Sequence, residues 1–227
     1  MRPLRELLSL FAPPGCVGCG QALTDADARL CAECVRALPW LRRGCPRCGL
    51  PKHRGRRCPA AHAAFGRSWA PMAYTGVARR LVAALKFRGA LVVADLMAAQ
   101  MVATLPPDLR DTPALVALVP VPAAPARRRA RGFDPARVLT IALARRTDRP
   151  FADCLVRKDR AVRQVGASRR ERREPGRLRI RVRGSPPPLA ILVDDVHTTG
   201  ATLDASARAL SEAGTRVVAA ITYARTL

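Results

Sequence analysis

Seven of the eight cysteines fall between Cys16 and Cys58, as three successive C-x2-C pairs (Cys16/Cys19, Cys31/Cys34, Cys45/Cys48) and a last Cys58 with His62 four positions on. No other feature constrains the fold as tightly. A two-residue gap lets both thiolates of a pair turn onto one ion within a tight knuckle. Gly18, Gly20 and Gly49 supply the permissive backbone. Two pairs make a tetrahedral site, so Cys16, Cys19, Cys31 and Cys34 are assigned to one Zn2+, and Cys45, Cys48, Cys58 and His62 to a second. The fourth ligand of the second site stays open: a C-x2-C partner of Cys58 would fall at Ala61, His53 is an alternative, and an interleaved pairing of the knuckles also satisfies the spacing. Disulfides are the competing reading, but paired C-x2-C units are the metal pattern and no export signal precedes them. Four protein ligands leave no open position for water, which makes the metal structural. Cys154 stands alone in a strand-like run and is expected to fill core.

The chain of 227 residues has room for one substantial core beside this small module. We divide it into a cysteine-rich zinc-binding module, 1–65, and an α/β domain, 66–227. No apolar run approaches the roughly 20 residues of a membrane-spanning helix. Met1 to Pro14 reads as a short amphipathic helix, and a cytoplasmic protein is expected. The net charge of +23 would attract nucleic acid, acidic membrane surfaces or polyphosphate ligands. Nearly all of it is arginine, with lysine only at Lys52, Lys86 and Lys158, a preference that GC-rich coding also produces.

From about Gly66 onward, helix and strand signals alternate as in an open parallel sheet with crossover helices. Residues 78–87 and 91–105 carry apolar residues at helical spacing, and 114–122 is a buried-strand run ending in prolines. Residues 135–146 form a helix with Asp134 as N-cap and Pro135 at its first position. "DCLVR" is a further strand candidate. Arg157 to Pro188 is dense in arginine and reads as a long loop or lid. A strand at 189–193, a helix stopped by Gly214 and a last strand at 216–223 follow.

The segment "ILVDDVHTTGATLD", 191–204, runs a buried strand into Asp194 and Asp195 at its carboxyl end, where open parallel sheets bind ligands. Thr198, Thr199, Gly200, Ala201 and Thr202 are small or hydroxylated, so their N–H and Oγ groups can close on a phosphate at a helix N-terminus. Two carboxylates would repel that phosphate at contact, so they must address another part of the ligand. The two hydroxyls of a ribose fit. An N-capped helix or a magnesium site of the strand-Asp-Asp type are the alternatives, and a nucleotide P-loop is excluded because its lysine is missing. His197 is an acid or base, an orienting group or a solvent-facing side chain.

"VDDVHTTGAT" resembles the 5-phosphoribosyl-1-pyrophosphate (PRPP) motif of the type I phosphoribosyltransferases. The whole chain resembles the ComF family of competence-associated proteins, through "LCAECVRALPWL", "CPRCGLP", "LKFRG", "VPVP", "RARGFDPA" and "RQVGASRRERR". That resemblance implies an open, mainly parallel sheet with flanking helices behind the zinc module. It implies Asp194 and Asp195 on the ribose hydroxyls and Thr198 to Thr202 on the 5′-phosphate. It places the pyrophosphate loop at Val119 to Pro122, including Pro120, with Arg127, Arg128, Arg129 and Arg131 after it. It makes 158–188 a mobile loop closing over the ligand, with Gln164, Arg169 and Arg172 as its contributors. Asp134 and Pro175 stand where the family usually has asparagine.

In family terms the reaction is displacement at C1 of the ribose, with pyrophosphate leaving on Mg2+, and Asp194, Asp195, Arg169 and Arg172 are the candidate catalytic residues. The acceptor is not identified by any residue. A second expectation is a non-enzymatic protein of DNA uptake that holds single-stranded DNA, with PRPP as effector and competence or DNA-processing proteins as partners. Trp40 and Trp69 offer little base stacking, so such contacts would be mainly to phosphates.

Overall fold

The computed structural model describes residues 14–25, 27–42, 44–53, 57–87, 90–111, 114–159 and 178–227. Helix α1 (Ala32–Arg36) lies in the cysteine-rich segment. The elements that follow are β1 (Ser68–Trp69), β2 (Met72–Ala73), α2 (Gly76–Phe87), α3 (Ala90–Thr104), α4 (Pro107–Arg110), β3 (Ala117–Pro120), α5 (Pro125–Arg131) and α6 (Pro135–Thr147). Strands β4 (Leu155–Asp159), β5 (Leu178–Val182) and β6 (Leu189–His197), helix α7 (Ala201–Glu212) and strand β7 (Arg216–Arg225) complete the order.

Strands β1, β7, β6 and β3 lie side by side in that order, and β2 continues β1 along the same edge of β7. Every pairing in this sheet is parallel. Parallel strands need crossovers, and α7 carries the chain from β6 to β7 while α5 and α6 follow β3. Both faces are therefore covered, and β6 shows it residue by residue. Ile191 and Val193 join Leu81, Met97 and Leu139 of α2, α3 and α6, whereas Ala190 and Leu192 join Leu203, Ala207 and Leu210 of α7. Each large aliphatic side chain buried this way contributes about 2 kcal/mol.

Local sequence explains the helix ends. Asp134 caps α6, its Oδ1 accepting the Ala136 N–H at 3.1 Å with proline at the first turn, as its sequence predicts. The turn at Gly214 takes a φ of +86°, which stops α7 and turns the chain into β7.

Two expectations change. Residues 157–188 are not wholly loop: at its ends, β4 and β5 pair antiparallel as a separate two-stranded arm, Arg157 opposite Ile180. "LRIRV" alternates apolar and arginine residues with a period of two, which is the physical reason for β5. "DCLVR" thus supplies an arm strand, with Cys154 buried at its root as core, and not a strand of the main sheet. The expected helix within 1–14, Gln164, Arg169, Arg172 and Pro175 lie outside the described residues, as does the middle of the expected lid. Among the described residues no helix is long and apolar enough to cross a membrane.

The cysteine-rich segment packs onto the sheet. Trp40 bridges antiparallel to Met72, Leu41 N–H reaches Pro71 O and Ala73 N–H reaches Pro39 O, so this segment covers the β2 edge.

Candidate functional site

Register brings the site together. Pro120 of β3 pairs with Val193 of β6, and the Val121 N–H donates to Val193 O at 2.9 Å, so the carboxyl ends of two adjacent strands finish level. Between them opens a cleft of about 210 Å³, lined by Lys86, Arg127, Arg131, Asp134, Arg157, Asp194, Asp195, Thr198 and Thr202. Strand β6 runs on past its expected end, so Asp194 and Asp195 are strand residues and point alternately. Asp195 is buried and its Oδ2 lies 2.8 Å from Lys86 Nζ. Asp194 accepts the Asp195 N–H at 2.8 Å. Burial and the neighbouring Asp195 charge hold the Asp194 carboxyl well above the usual carboxylate range, with Lys86 acting in the opposite sense. Asp134 is raised too, by burial first and by Asp195 last, against the backbone N–H groups of Ala123 and Ala136 that it accepts. Three acids and the arginines Arg127, Arg131 and Arg157 around one cleft put acceptors and cations side by side.

The loop after β6 turns on Gly200, whose φ of +81° only glycine takes without strain. A Cβ there would also lie 2.7 Å from His197 Nε2, so the position is closed to side chains twice over. Gly200 offers α7 no side-chain cap, and Thr199 Oγ1 accepts the N–H of Ala201, the first residue of the helix, at 3.4 Å. His197 is not solvent-facing. It is 2% exposed, its Nδ1 sits 2.9 Å from Ser68 Oγ, Phe65 meets it edge-on, and burial pushes its pKa down to about 4. The imidazole is neutral and structural.

The expected ligand-binding residues divide among three hollows. Asp194, Asp195, Thr198, Thr202 and Arg131 line the cleft. Thr199, Gly200 and Ala201 face a second hollow of about 250 Å³, walled by Phe65, His197, Cys48 and Ala60. Pro120 and Arg128 line a third, beside Phe133 and Arg137. Lys86 and Asp134 were not assigned to the site from sequence. For Lys86 a signal existed: it is one of three lysines in an arginine-dominated chain.

In the cysteine-rich segment, Cys16, Cys19, Cys31 and Cys34 bring their sulfurs within 4.8 Å of one another, as their spacing predicts. Cys19 and Cys31 sulfurs are 3.8 Å apart, too far for a disulfide and the edge length of a tetrahedron with metal–sulfur bonds of about 2.3 Å. Backbone N–H groups of Cys31 and Cys34 point at the Cys16 and Cys31 sulfurs. Against its burial, the N–H groups of Cys31, Cys19 and Gly18 bring the Cys16 thiol down to about 6. Burial and its thiol neighbours push Cys34 up to about 12. Four thiolates cannot all ionise together without a cation, and a divalent ion removes the conflict.

The second cluster is Cys45, Cys48, Cys58 and His53, again with a 3.8 Å sulfur edge, between Cys45 and Cys58. This corrects His62 to His53. The Nδ1 of His53 is buried without a hydrogen-bond partner, as suits a ligating nitrogen, whereas His62 lies beside α7 with its carbonyl accepting from Arg208. Among the described residues these are the two clusters that can hold a metal ion; the three cleft acids do not converge on a common point.

A family model described as the double zinc ribbon domain matches residues 7–62. The N-terminal segment is a double zinc ribbon. No curated protein matches the chain. The two ribbons sit on opposite faces of the sheet. Cys16, Leu23, Leu30, Cys34 and Leu38 of the first join the core formed by α2, α3 and α6, and Cys48, Ala60 and Phe65 of the second join the core under α7. The second ribbon thus reaches the loop that begins α7: Ala64 N–H donates to Asp204 Oδ1 at 2.8 Å.

Proposed function

We propose that the cleft binds PRPP and that the chain is a phosphoribosyltransferase-like protein of ComF type. The observation that carries this reading is that Asp194 and Asp195 at the end of β6 share one arginine-lined cleft with Thr198 and Thr202 on either side of the α7 start. A ribose 5-phosphate spans those two features: its hydroxyls meet the carboxyl groups and its phosphate meets Thr198 to Thr202. The raised Asp194 carboxyl holds a proton more readily than a free one, and a protonated carboxyl can donate to a diol as well as accept from it.

In the proposed transfer, the bond from C1 to the diphosphate oxygen breaks and its electron pair leaves with the diphosphate. An acceptor lone pair forms the new bond at C1. Arg127 and Arg131 offset the charge that gathers on the leaving group. Magnesium would neutralise diphosphate oxygens, and the hard oxygens of the ligand with Asp194 or Asp134 are the donors that suit it. Lys86 holds Asp195 in place from the end of α2.

The test is calorimetric titration of PRPP with magnesium. Wild type should bind, and Asp194→Asn/Asp195→Asn should not. Absence of binding by wild type ends the reading. Pyrophosphate release across a panel of nucleobases and amines then asks whether an acceptor exists. Binding of single-stranded DNA is the second reading, supported by the net charge of +23 and the exposed run Arg127, Arg128 and Arg129. Mobility shifts that weaken steeply with salt would support it, and a flat response would remove it.

A further inference from the structure

Arg225 ends β7 opposite His197 and is 6% exposed, a guanidinium brought almost wholly out of water. Its side-chain acceptors are backbone carbonyls from different parts of the fold. Nε donates to Cys48 O in the second ribbon at 3.1 Å. One terminal nitrogen donates to His197 O at 2.8 Å, Thr198 O at 2.5 Å and Thr226 O at 3.0 Å. The same two regions meet again through a second chain of contacts. Ser68, whose hydroxyl holds His197 Nδ1, packs beside Gly49 of the second ribbon, and His197 Nε2 abuts Gly200.

We propose that Arg225 is a positioning residue through which the second zinc site sets the shape of the phosphate loop. This rests on the PRPP reading for its ligand, but not for its mechanics. A buried guanidinium must keep its acceptors, because leaving it unpaired costs far more than a neutral donor would. Cys48 is a ligand of the second site, so its carbonyl is fixed only while the knuckle is closed on its ion. With the knuckle open, neighbouring thiolates repel, the Cys48 carbonyl shifts, and Arg225 must choose between following it and holding Thr198. Either way the loop at 197–202 loses its anchor. Arg47 stiffens the ribbon itself, donating to the carbonyls of Ala60, Ala61, Ala63 and Gly66 and so bracing the turns that lead out of it. The first ribbon differs: the described backbone hydrogen bonds of residues 14–38 stay within 14–40, and the chain leaving it bonds at Pro39 and Leu41 to the β2 edge, away from the loop at 197–202.

The experiment compares wild type, Arg225→Lys, His53→Ala and Cys34→Ser in the full chain. Zinc is counted by elemental analysis, amide exchange is followed across 196–204, and PRPP is titrated with magnesium. Arg225→Lys should keep both zinc ions and lose about tenfold or more in PRPP affinity, with faster exchange across the loop. Lysine keeps the charge but cannot span both sets of carbonyls. His53→Ala should lose the second ion and reproduce that loop signature. Cys34→Ser should lose the first ion without it. Unchanged loop exchange in His53→Ala, or equal loosening in Cys34→Ser, would overturn the proposal. If Arg225→Lys fails to fold, the His53→Ala and Cys34→Ser pair still decides. If wild type does not bind PRPP, the ligand reading falls alone, and the exchange data still judge the coupling.

Discussion

The two zinc ribbons each open on a C-x2-C pair and show a 3.8 Å sulfur edge, yet their surroundings differ. The first is packed through leucines into the larger core, and its contribution is burial. The second is tied by hydrogen bonds to the strand ends and to the loop beside the cleft, and its contribution is position. Similar structural metal sites therefore serve two ends, and what surrounds the metal decides which. A site wrapped in apolar side chains acts on how much of the protein is folded. A site wired to carbonyls acts on where a few atoms sit.

That contrast can be broken most forcefully at the first ribbon. Cys34→Ser, losing a buried ligand, should remove one zinc equivalent and about 4 kcal/mol of stability while the rest of the fold stays in place, read from denaturant unfolding. A loss below that would make the first ribbon an accessory. Next in size is acid. From pH 6.5 down to about 4 the unfolded chain protonates His197 and the folded chain does not, so stability falls with pH across that window by about 3 kcal/mol. His197→Gln should flatten the slope. Gly200→Ala combines a left-handed backbone with the approach of His197 Nε2 and should cost about 2 kcal/mol, with ligand binding lost before the fold is. Smallest is Asp194→Asn. The folded carboxyl keeps its proton to higher pH than the unfolded one, whose ordinary value is 3.8, so stability drops as pH rises above that value. The amide should raise the melting temperature slightly while removing PRPP binding, which would mark the pair as held for function at a cost to stability.

Much of this was legible in the sequence because the signals were local. C-x2-C spacing alone sufficed for Cys16 to Cys34, and the apolar run at 189–193 with two acids behind it located the cleft's centre. Asp134 before Pro135 located a helix start to the residue. What escaped was set by tertiary pairing. Ser68–Trp69 and Met72–Ala73 are too short to carry a period, and they become strands only because β7 is there to pair with. Choosing His53 over His62 needed the placement of His53 beside Cys45, Cys48 and Cys58, which no spacing rule fixes. Lys86 reaches Asp195 from a helix more than a hundred residues earlier, and Arg225 looked like any arginine in a chain full of them. The arm strand "LRIRV" is different: its alternation was present and was outweighed by the arginine density around it.

Strand β7 sits between β1/β2, which precede it by about 150 residues, and β6. A growing chain meets these partners in a fixed order. The cysteine ligands emerge first and can close on metal early, whereas the sheet edge at β1 and β2 must wait for Arg216–Arg225 to be synthesised. Until then Ser68 and Met72 have no strand to join, and the Arg225 link between ribbon and loop cannot exist. Assembly of the cleft is in this sense a report that synthesis has reached residue 225: a chain cut short before β7 could load zinc and still have no ligand site.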